Sequence, residues 1–547
     1  MEYVLVVGIV VVLAAAFIVP ISIFASRRRK RVLDALFGAI PKNASVHESI
    51  RNYWDAFSEC YPDQAYIDRT TWNDLDMDAV FCRINGCLSS VGEEYLFALL
   101  HRPANAEILS QRENLVACLE KRELRLKIQL VLNRLGKNRF NGLWILMFAP
   151  HILSLGSYKR YLIQALLPLL GVALLFVNSS LGIVVLALTL LANIITFAIA
   201  KNRSEQGLEH VSYLVKTLHC AKGLEKELSG SCPQYAQDMR TSLAHFKKLS
   251  FSSFMIAATP NSDADALISL FGMLTLAPVI QYCKSIQLLT DRQKELQEFF
   301  ALVGEVDAAL SLASFRASLE YYSQPTFSQT LTLEGRALYH PLVQAAVPND
   351  VLVEKNLLLT GSNASGKSTY IKSIAVNALL AQTCNTCCAE SFSLKRAPII
   401  TSMGVSDNII GGESYFVVEI KSMKRIVQAA IDDLESYCFI DEILKGTNTT
   451  ERIAASAAVL RFLHQKACIC VAATHDLELT EMLSAEYLNR HFSEQITDAG
   501  MLFDYQLKEG PSQSKNAIKL LSHFDYPKAV VAYADELVIE LEAEKQR

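Results

Sequence analysis

The sequence predicts an α/β domain carboxy-terminal to an all-α region, with three helices that cross a membrane. Three observations indicate this fold class. Two long apolar stretches contain no Asp, Glu, Lys or Arg, most of the first 325 residues have helical periodicity, and short apolar runs alternate with helical segments after residue 326. We therefore predict five segments: 1–35 (anchor and basic flank), 36–158 (helical), 159–203 (membrane hairpin), 204–325 (helical) and 326–547 (α/β).

The first apolar stretch, Tyr3–Ala25, has 23 residues, enough to cross the roughly 30 Å hydrocarbon core of a bilayer. The cations Arg27–Arg31 follow it, whereas Glu2 stands where a cleavable signal would carry positive charge. Because positive residues stay on the cytoplasmic side, this pattern predicts an uncleaved anchor. A buried core helix is the alternative interpretation.

The second apolar stretch, Tyr161–Ala200, has 40 residues, which is too long for one span, and Asn178–Ser180 interrupts it. Two spans joined by a turn fit better. Basic residues flank both ends: Lys159, Arg160, Lys201 and Arg203. We therefore expect three spans in a multi-pass protein of the cell membrane, with the catalytic body on the cytoplasmic side. The 13 scattered cysteines agree with a reducing compartment.

The overall charge excludes a globally basic nucleic-acid-binding protein, because 52 Lys and Arg face 56 Asp and Glu, for a net charge of −4. A hydrophobic content of 51% also excludes intrinsic disorder. Locally, Lys121–Arg139 holds seven Lys and Arg against the single Glu123. This stretch is either the solvated basic flank of the hairpin or a surface for nucleic acid or acidic lipid.

A nucleotide-binding motif begins the α/β domain. The apolar run Leu357–Thr360 predicts a buried strand, a G-x-x-x-x-G-K-[ST] loop follows it, and a helical pattern starts at Tyr370. Main-chain N–H groups of such a loop converge on phosphates, Lys367 supplies a charge to the β and γ phosphates, and Ser368 binds Mg²⁺. The predicted ATP-binding residues of the loop are Gly361, Ser362, Asn363, Ala364, Ser365, Gly366, Lys367, Ser368 and Thr369.

Two further predicted strands end in catalytic residue types. Tyr437–Ile440 precedes Asp441, which we predict to hold Mg²⁺, and Glu442, which we predict to activate water as a general base. The run Cys468–Ala473 leads to His475, which is placed to contact the γ-phosphate. The sequence therefore predicts an ATPase that uses ATP and Mg²⁺, with Glu442, His475 and Lys367 as catalytic residues.

Together these motifs resemble the MutS family of mismatch-repair ATPases. The resemblance lies in Thr360–Tyr370, a Walker A motif similar to TGPNMGGKSTY, in Asp441–Thr449, similar to DEIGRGTST, and in Ala473–Thr480, similar to ATHYFELT. Further similar segments are His340–Leu342, Pro348–Asp350, Met403–Asp407, Gly412–Glu419, Thr71–Trp72, Ser90–Phe97 and Arg112–Val116. The resemblance implies an ATPase domain of the ABC/MutS type after a helical core (lever) domain, with Asn349 at the adenine pocket.

The resemblance also implies a homodimer with composite ATP sites, in which Ser414 reaches the γ-phosphate bound by the partner. The alternative is that Ser414 only caps a helix, with Glu419 on its solvated face. Because the helical core follows the first basic segment almost directly, we expect no mismatch-recognition or connector domain.

Two functions remain open from the sequence. One is a membrane-anchored ATPase coupled to mismatched or branched DNA, in DNA repair. The other is an ATP-driven mechanical or scaffold protein at the membrane, which acts on a protein or lipid partner without DNA.

The cysteines Cys384, Cys387 and Cys388 follow the predicted phosphate-loop helix closely. Such a cluster is compatible with zinc or redox chemistry. Because no second cysteine pair lies nearby, buried structural cysteines are the preferred interpretation.

Overall fold

The computed structural model describes residues 24, 27–42, 44–64, 66–138, 140–247, 249, 272–362, 365–403, 415–432, 434–444, 447–497, 500–512, 521 and 526–545. The predicted first span, Tyr3–Ala25, lies outside these residues except for Phe24. The chain divides into two compact units. The helical unit comprises residues 1–64, 84–99 and 106–318, and the α/β unit comprises residues 65–83, 100–105 and 319–547.

The helices before residue 326 are α1 (Glu48–Cys60), α2 (Arg69–Asp74), α3 (Met77–Ile84), α4 (Ser90–Leu100), α5 (Ala106–Glu120), α6 (Arg122–Leu135), α7 (Leu143–Phe148), α8 (Tyr158–Leu175), α9 (Ser179–Leu228), α10 (Pro233–His245), α11 (Ala277–Asp291) and α12 (Gln293–Ala317). Residues 27–36 are also mostly helical. Helix α12 lies at the centre of the helical unit, because nearly all of its residues from 303 to 313 are buried.

Buried polar contacts join α12 to its neighbours in the helical unit. The Asp307 carboxylate accepts hydrogen bonds from the main-chain N–H of Leu88 and of Ser89, at 3.0 and 2.8 Å. Arg112 on α5 contacts Glu305 at 2.6 Å, and both side chains are largely buried. Such contacts satisfy polar groups that would otherwise be costly to bury.

Helices α8 and α9 form an antiparallel hairpin. Asn178 caps α9 by accepting a hydrogen bond from the N–H of Leu181, close to the predicted turn at Asn178–Ser180. Gly182 permits close packing, because a Cβ atom there would lie 2.5 Å from the main-chain N of Leu175. Two helical stretches, Pro150–Leu175 and Ser179–Leu228, are long and apolar enough to cross a membrane by length and composition. Only 11% of the most apolar part of the first stretch is buried, and only 17% of the most apolar part of the second.

Helix α9 differs from the predicted domain boundary at residues 203/204. It runs without a break for 50 residues, so its apolar part and the part packed in the helical unit form one element. Val211, Leu214 and Leu218 of its second half are buried. The predicted boundary lies where charged residues begin, but a change from apolar to charged residues does not end a helix whose backbone hydrogen bonds continue.

The basic stretch Lys121–Arg139 lies largely on α6, and most of its cations are paired within the helical unit. Arg122 and Arg125 both contact Asp34, at 2.7 and 3.1 Å. Lys127 contacts Glu227 at 3.7 Å, and Lys137 contacts Glu93 at 2.7 Å. These ion pairs leave less free positive charge than the sequence alone indicates.

The strands of the α/β unit are β1 (Thr326–Phe327), β2 (Leu333–Leu338), β3 (Asn349–Val353), β4 (Asn356–Thr360), β5 (Ser391–Leu394), β6 (Ile399–Ser402), β7 (Ser436–Asp441), β8 (Cys468–Ala473), β9 (Tyr487–His491), β10 (Glu494–Thr497), β11 (Gly500–Phe503) and β12 (Lys508–Glu509). Its later helices are α13 (Lys367–Cys384), α14 (Tyr415–Ile431), α15 (Thr449–His464), α16 (Glu478–Met482) and α17 (Lys528–Lys545).

The main sheet has the strand order β12-β9-β4-β8-β7-β6, in which all strands but β12 run parallel. Every residue of β4 and β8 is buried, as expected for strands covered on both faces. A smaller sheet has the order β1-β5-β2-β3, and β10 pairs with β11. Because β4, β8 and β7 are adjacent and parallel, their carboxyl ends meet at one edge of the sheet.

Residues 65–83 and 100–105 belong to the α/β unit, although the sequence placed them in the helical segment 36–158. Their polar groups bind the sheet and its helices: Asp74 Oδ2 accepts hydrogen bonds from Thr401 Oγ1, at 2.6 Å, and from Met403 N, at 3.0 Å. Arg425 of α14 contacts both Asp68 and Thr71. These segments therefore cover the β6 edge of the sheet.

We expect Asp74→Ala to loosen the β6 edge, because two donors, Thr401 Oγ1 and Met403 N, lose their acceptor. Leaving such donors unsatisfied costs about 1–3 kcal/mol, which corresponds to about 5- to 150-fold faster hydrogen exchange in peptides covering residues 399–403. Asp76→Asn is the matched control, since the Asp76 side chain is 60% exposed. Equal exchange in the two variants would contradict this role for Asp74.

Candidate functional site

The predicted phosphate-binding loop connects β4 to α13, in the strand–loop–helix order that the motif requires. Gly361 has φ 143°, and a Cβ atom there would lie 2.6 Å from the carbonyl oxygen of Phe492. Gly366, with φ 109°, immediately precedes α13. Because other residues rarely adopt such φ values, glycine is required for this path of the chain. Asn363 and Ala364 lie outside the described residues.

Lys367 is buried at the start of α13 and points back into the loop. Its Nζ donates hydrogen bonds to the carbonyl oxygens of Gly361, at 2.7 Å, and Ser362, at 2.8 Å. The Ser362 hydroxyl donates to Glu494 Oε2 at 2.8 Å. The Lys367 ammonium group is therefore held beside the main chain of the loop.

The hydroxyl residues of the loop differ in exposure. Ser368 and Thr369 are exposed in the first turn of α13, where main-chain N–H groups attract anions. Ser365 is buried, and its Oγ has no hydrogen-bond partner within the described part of the chain. The exposed Ser368 is thus accessible to a bound cation.

Asp441 and Glu442 stand at the carboxyl end of β7. Asp441 Oδ1 is buried without a hydrogen-bond partner among the described residues. An uncompensated buried carboxylate oxygen is costly, and a bound cation removes this cost. Asp441 and Ser368 therefore fit the predicted Mg²⁺ site, with the remaining oxygen ligands supplied by nucleotide and water.

His475 joins the ends of three strands. Its Nε2 contacts Glu442 Oε1, and its Nδ1 lies 3.1 Å from the carbonyl oxygen of Gly361. The main-chain N–H of Glu442 donates to Ala473 O at 3.1 Å, which fixes β7 against β8. A carbonyl oxygen only accepts hydrogen bonds, so the contact with Gly361 needs a proton on Nδ1 of His475. The contact with Glu442 then needs a further proton, either on Nε2 of His475 or on the Glu442 carboxyl group. This pair is suited to holding and moving a proton.

A cavity of about 550 Å³ lies beside the loop. Lys367, Ser368 and Thr369 line one side of it, and Tyr339, His340 and Tyr505 line other parts. Asn349 also lines the cavity, but its side chain donates to Tyr505 O at 2.9 Å and accepts from Leu507 N at 2.8 Å. The Asn349 amide therefore holds the cavity wall through the main chain of residues 505–507.

Sequence reasoning did not select His340 or Tyr505 as site residues. His340 lies in the cavity wall, and its Nε2 is buried without a partner in the described ranges. Burial lowers the pKa of His340 to about 4, so the ring is neutral at pH 7. The His340–Leu342 motif could have indicated His340, whereas no local pattern around Tyr505 indicates a nucleotide site.

The other positions that the sequence analysis singled out are Ser414, Glu419 and the three cysteines. Ser414 lies outside the described residues. Glu419 of α14 is only 5% exposed and therefore does not lie on a solvated face. Cys384, Cys387 and Cys388 are all buried, and burial raises the pKa of Cys388 to about 12. Within the described ranges no group of three or more His, Cys, Asp or Glu could hold a metal ion.

Residues 357–542 match the family model described as MutS domain V. The DNA mismatch repair protein MutS of Thermus thermophilus is 31% identical over 256 residues, which is 46% of this chain and 31% of that protein. The proteins of the same name from Thermus aquaticus and Listeria monocytogenes are 32% identical over 262 residues and 28% identical over 274 residues, covering 47% and 48% of this chain and 32% of each relative. Each match spans about a third of the relative's length.

Proposed function

Because the chain belongs to the MutS family through its carboxy-terminal domain, we propose that it is a membrane-anchored ATPase, active as a homodimer and coupled to DNA binding. The observation that carries the ATPase proposal is the meeting of the phosphate-binding loop, Asp441, Glu442 and His475 at one edge of the main sheet. In this proposal the α/β unit holds phosphate, metal and a general base at one site.

In this mechanism Lys367 binds the β and γ phosphates, leaving its contacts with Gly361 O and Ser362 O. Ser368 and Asp441 would hold Mg²⁺, which would supply positive charge against the phosphate oxygens. Glu442 orients the attacking water and accepts its proton. His475 contacts both Glu442 and the loop, so it keeps the general base beside the γ-phosphate.

We place the ATP sites at a dimer interface, with Ser414 of each protomer directed at the γ-phosphate bound by the other. The similarity of Gly412–Glu419 to the family's segment supports this role. In the same proposal Asn349 shapes the wall of the adenine pocket through its contacts with residues 505–507.

We further propose that the chain spans the cell membrane three times, at Tyr3–Ala25 and in the α8–α9 hairpin, with the ATPase domain in the cytoplasm. Large apolar side chains of the hairpin are exposed, among them Leu166, Leu170, Phe176, Ile183, Leu188 and Ile195. Exposing these side chains to water costs a free energy of about 25 cal/mol for each Å² of apolar surface. Contact with lipid removes this cost.

The DNA partner is supported by the relatives, each of which is named a DNA mismatch repair protein. The second candidate function is an ATP-driven mechanical or scaffold protein that acts on a protein or lipid partner. The continuous α9 favours it, because one helix joins the apolar hairpin to the packed helical core. The ion pairs of the Lys121–Arg139 stretch favour it too, because they occupy cations that DNA would need.

Steady-state ATP hydrolysis by the full-length protein in nanodiscs tests the proposal. The reactions contain no DNA, homoduplex, mismatched duplex or branched DNA, and Glu442→Gln serves as the blank. We expect DNA to change the rate at least threefold, with an effect that fades as salt is raised, because phosphate contacts release counterions.

A rate that is above the blank but indifferent to every DNA would contradict the DNA partner and favour the mechanical function. A rate equal to the blank would contradict ATP hydrolysis itself.

A further inference from the structure

The helix at residues 27–36, hereafter the basic helix, packs on α6 within the helical unit. Its Asp34 pairs with Arg122 and Arg125, and hydrogen bonds from these guanidinium groups lower the pKa of Asp34. Gln129 of α6 donates a hydrogen bond at 3.0 Å to the carbonyl oxygen of Leu33, whose side chain is 2% exposed. These contacts fix which face of the basic helix is turned outward.

Outside this contact, the basic helix exposes both cations and large apolar side chains. All five residues of Arg27–Arg31 are exposed, and none of them has an ion pair among the described residues. Val32 and Leu36 are 52% and 53% exposed, and Phe24 is 71% exposed. Positive charge and apolar surface therefore lie side by side on one short segment.

A groove of about 450 Å³ runs along this segment. It is lined by Phe24, Arg28, Arg29, Val32, Leu33, Leu36 and Asn133 of α6. Lys30 and Arg31, although equally charged, do not line it. The groove thus combines two guanidinium groups with an aliphatic and aromatic wall.

We propose that this groove binds one anionic phospholipid of the cytoplasmic leaflet, with its phosphate on Arg28 and Arg29 and its acyl chain against the apolar wall of Phe24, Val32 and Leu36. Guanidinium groups bind phosphate oxygens with two parallel hydrogen bonds, and the acyl chain covers apolar side chains that water would otherwise contact. The position, directly after the uncharged stretch Tyr3–Ala25, is where cationic segments meet anionic lipid.

The apolar wall distinguishes lipid from nucleic acid as the occupant. A DNA backbone would use the cations of Arg27–Arg31 but would leave Val32 and Leu36 in water. A lipid satisfies both halves of the groove. Because the basic helix is fixed to α6 by Asp34, a bound lipid would also attach the helical unit to the membrane surface. The inference rests on the membrane placement in the proposed function and deepens it by naming the lipid class.

Native mass spectrometry of the delipidated full-length protein tests the proposal. Phosphatidylglycerol and phosphatidylcholine with identical acyl chains are added in separate titrations. We expect phosphatidylglycerol to bind at least tenfold more tightly, and the double variant Arg28→Gln, Arg29→Gln to lose at least tenfold of this affinity. The double variant Lys30→Gln, Arg31→Gln removes the same charge outside the groove and should stay within twofold of wild type.

Additional measurements distinguish a lipid from other ligands of the groove. Leu36→Gln should weaken phosphatidylglycerol binding. Equal loss in both double variants, equal binding of the two lipids, binding of glycerol phosphate as strong as that of the lipid, or preferential binding of an oligonucleotide would each overturn the proposal. ATP hydrolysis by the same samples is measured separately, so a protein that hydrolyses ATP but shows no lipid preference contradicts this inference alone.

Discussion

Replacing Glu442 with Gln should slow ATP hydrolysis by about 10²–10⁴-fold, the range expected when a general base is lost. The amide of Gln keeps the shape of the side chain and can still contact His475, but it cannot accept a proton from water. ATP affinity should remain within about threefold, because the phosphate contacts proposed for Lys367 and Ser368 are unchanged. Phosphate release and equilibrium binding of a fluorescent ATP analogue measure the two quantities.

The control for this prediction is Glu481→Gln, which removes an exposed carboxylate from α16 of the same unit. Its hydrolysis rate should equal that of wild type. Hydrolysis by Glu442→Gln within a few fold of wild type would assign the general base to another group. Loss of binding together with hydrolysis would instead indicate that Glu442 supports the fold of the site, where it adopts φ 55°.

The second large effect concerns Glu94, a fully buried carboxyl group on α4. Its Oε1 accepts a hydrogen bond from Asn141 at 2.7 Å, but Oε2 has no partner in the described part of the chain. Burial raises the pKa of Glu94 from 4.5 to about 8. The folded helical unit therefore keeps Glu94 protonated at pH 7, whereas the unfolded chain ionises it.

This difference sets the direction of the pH dependence. Below pH 4.5 both states hold the proton, and the contribution of Glu94 to stability is fully present. Between pH 4.5 and about 8 only the unfolded state releases it, so the free energy of unfolding falls by about 1.4 kcal/mol per pH unit. The total loss is about 3–5 kcal/mol by pH 8, allowing for partial relaxation of the site.

Glu94→Gln should remove this dependence, because Gln reproduces the shape of the neutral acid and cannot ionise. We expect wild type and variant to unfold at similar temperatures near pH 5 and the variant to be the more stable protein at pH 8. Thermal unfolding in detergent across pH 5–9 measures the difference, with the exposed Glu123→Gln as control. A difference that does not change with pH would show that Glu94 is ionised in the folded state.

The strands that carry the predicted nucleotide site could be predicted largely from the sequence because their determinants are local. In three cases a short apolar run specifies a strand, and the predicted site residue stands at or just beyond its carboxyl end: Gly361 follows β4, Asp441 ends β7, and His475 lies two residues beyond β8. Parallel pairing then brings the three ends together without further information. The contact of His475 with Gly361 O follows from this arrangement.

Other features depend on residues far apart in the chain, and no local pattern indicates them. Asp74 binds Thr401 across more than 300 residues, so its place in the α/β unit could not be predicted from its helical surroundings. The pairing of Arg122 and Arg125 with Asp34 likewise places two cations of the basic stretch in ion pairs within the helical unit. Asn349 lines the cavity, but its amide is already bound by the main chain of residues 505 and 507, a contact that the motif does not indicate.

The continuity of α9 has a mechanical consequence for a protein in a bilayer. At 1.5 Å per residue its 50 residues extend about 75 Å, of which the apolar half, residues 179–200, accounts for about 33 Å. This half closely matches the thickness of a typical hydrocarbon core, and a thinner bilayer is accommodated mainly by tilting the helix. Because the rest of α9 is packed in the helical unit, a change of tilt turns that unit as well. In the proposed membrane placement, a change of bilayer thickness would therefore act on the helical core.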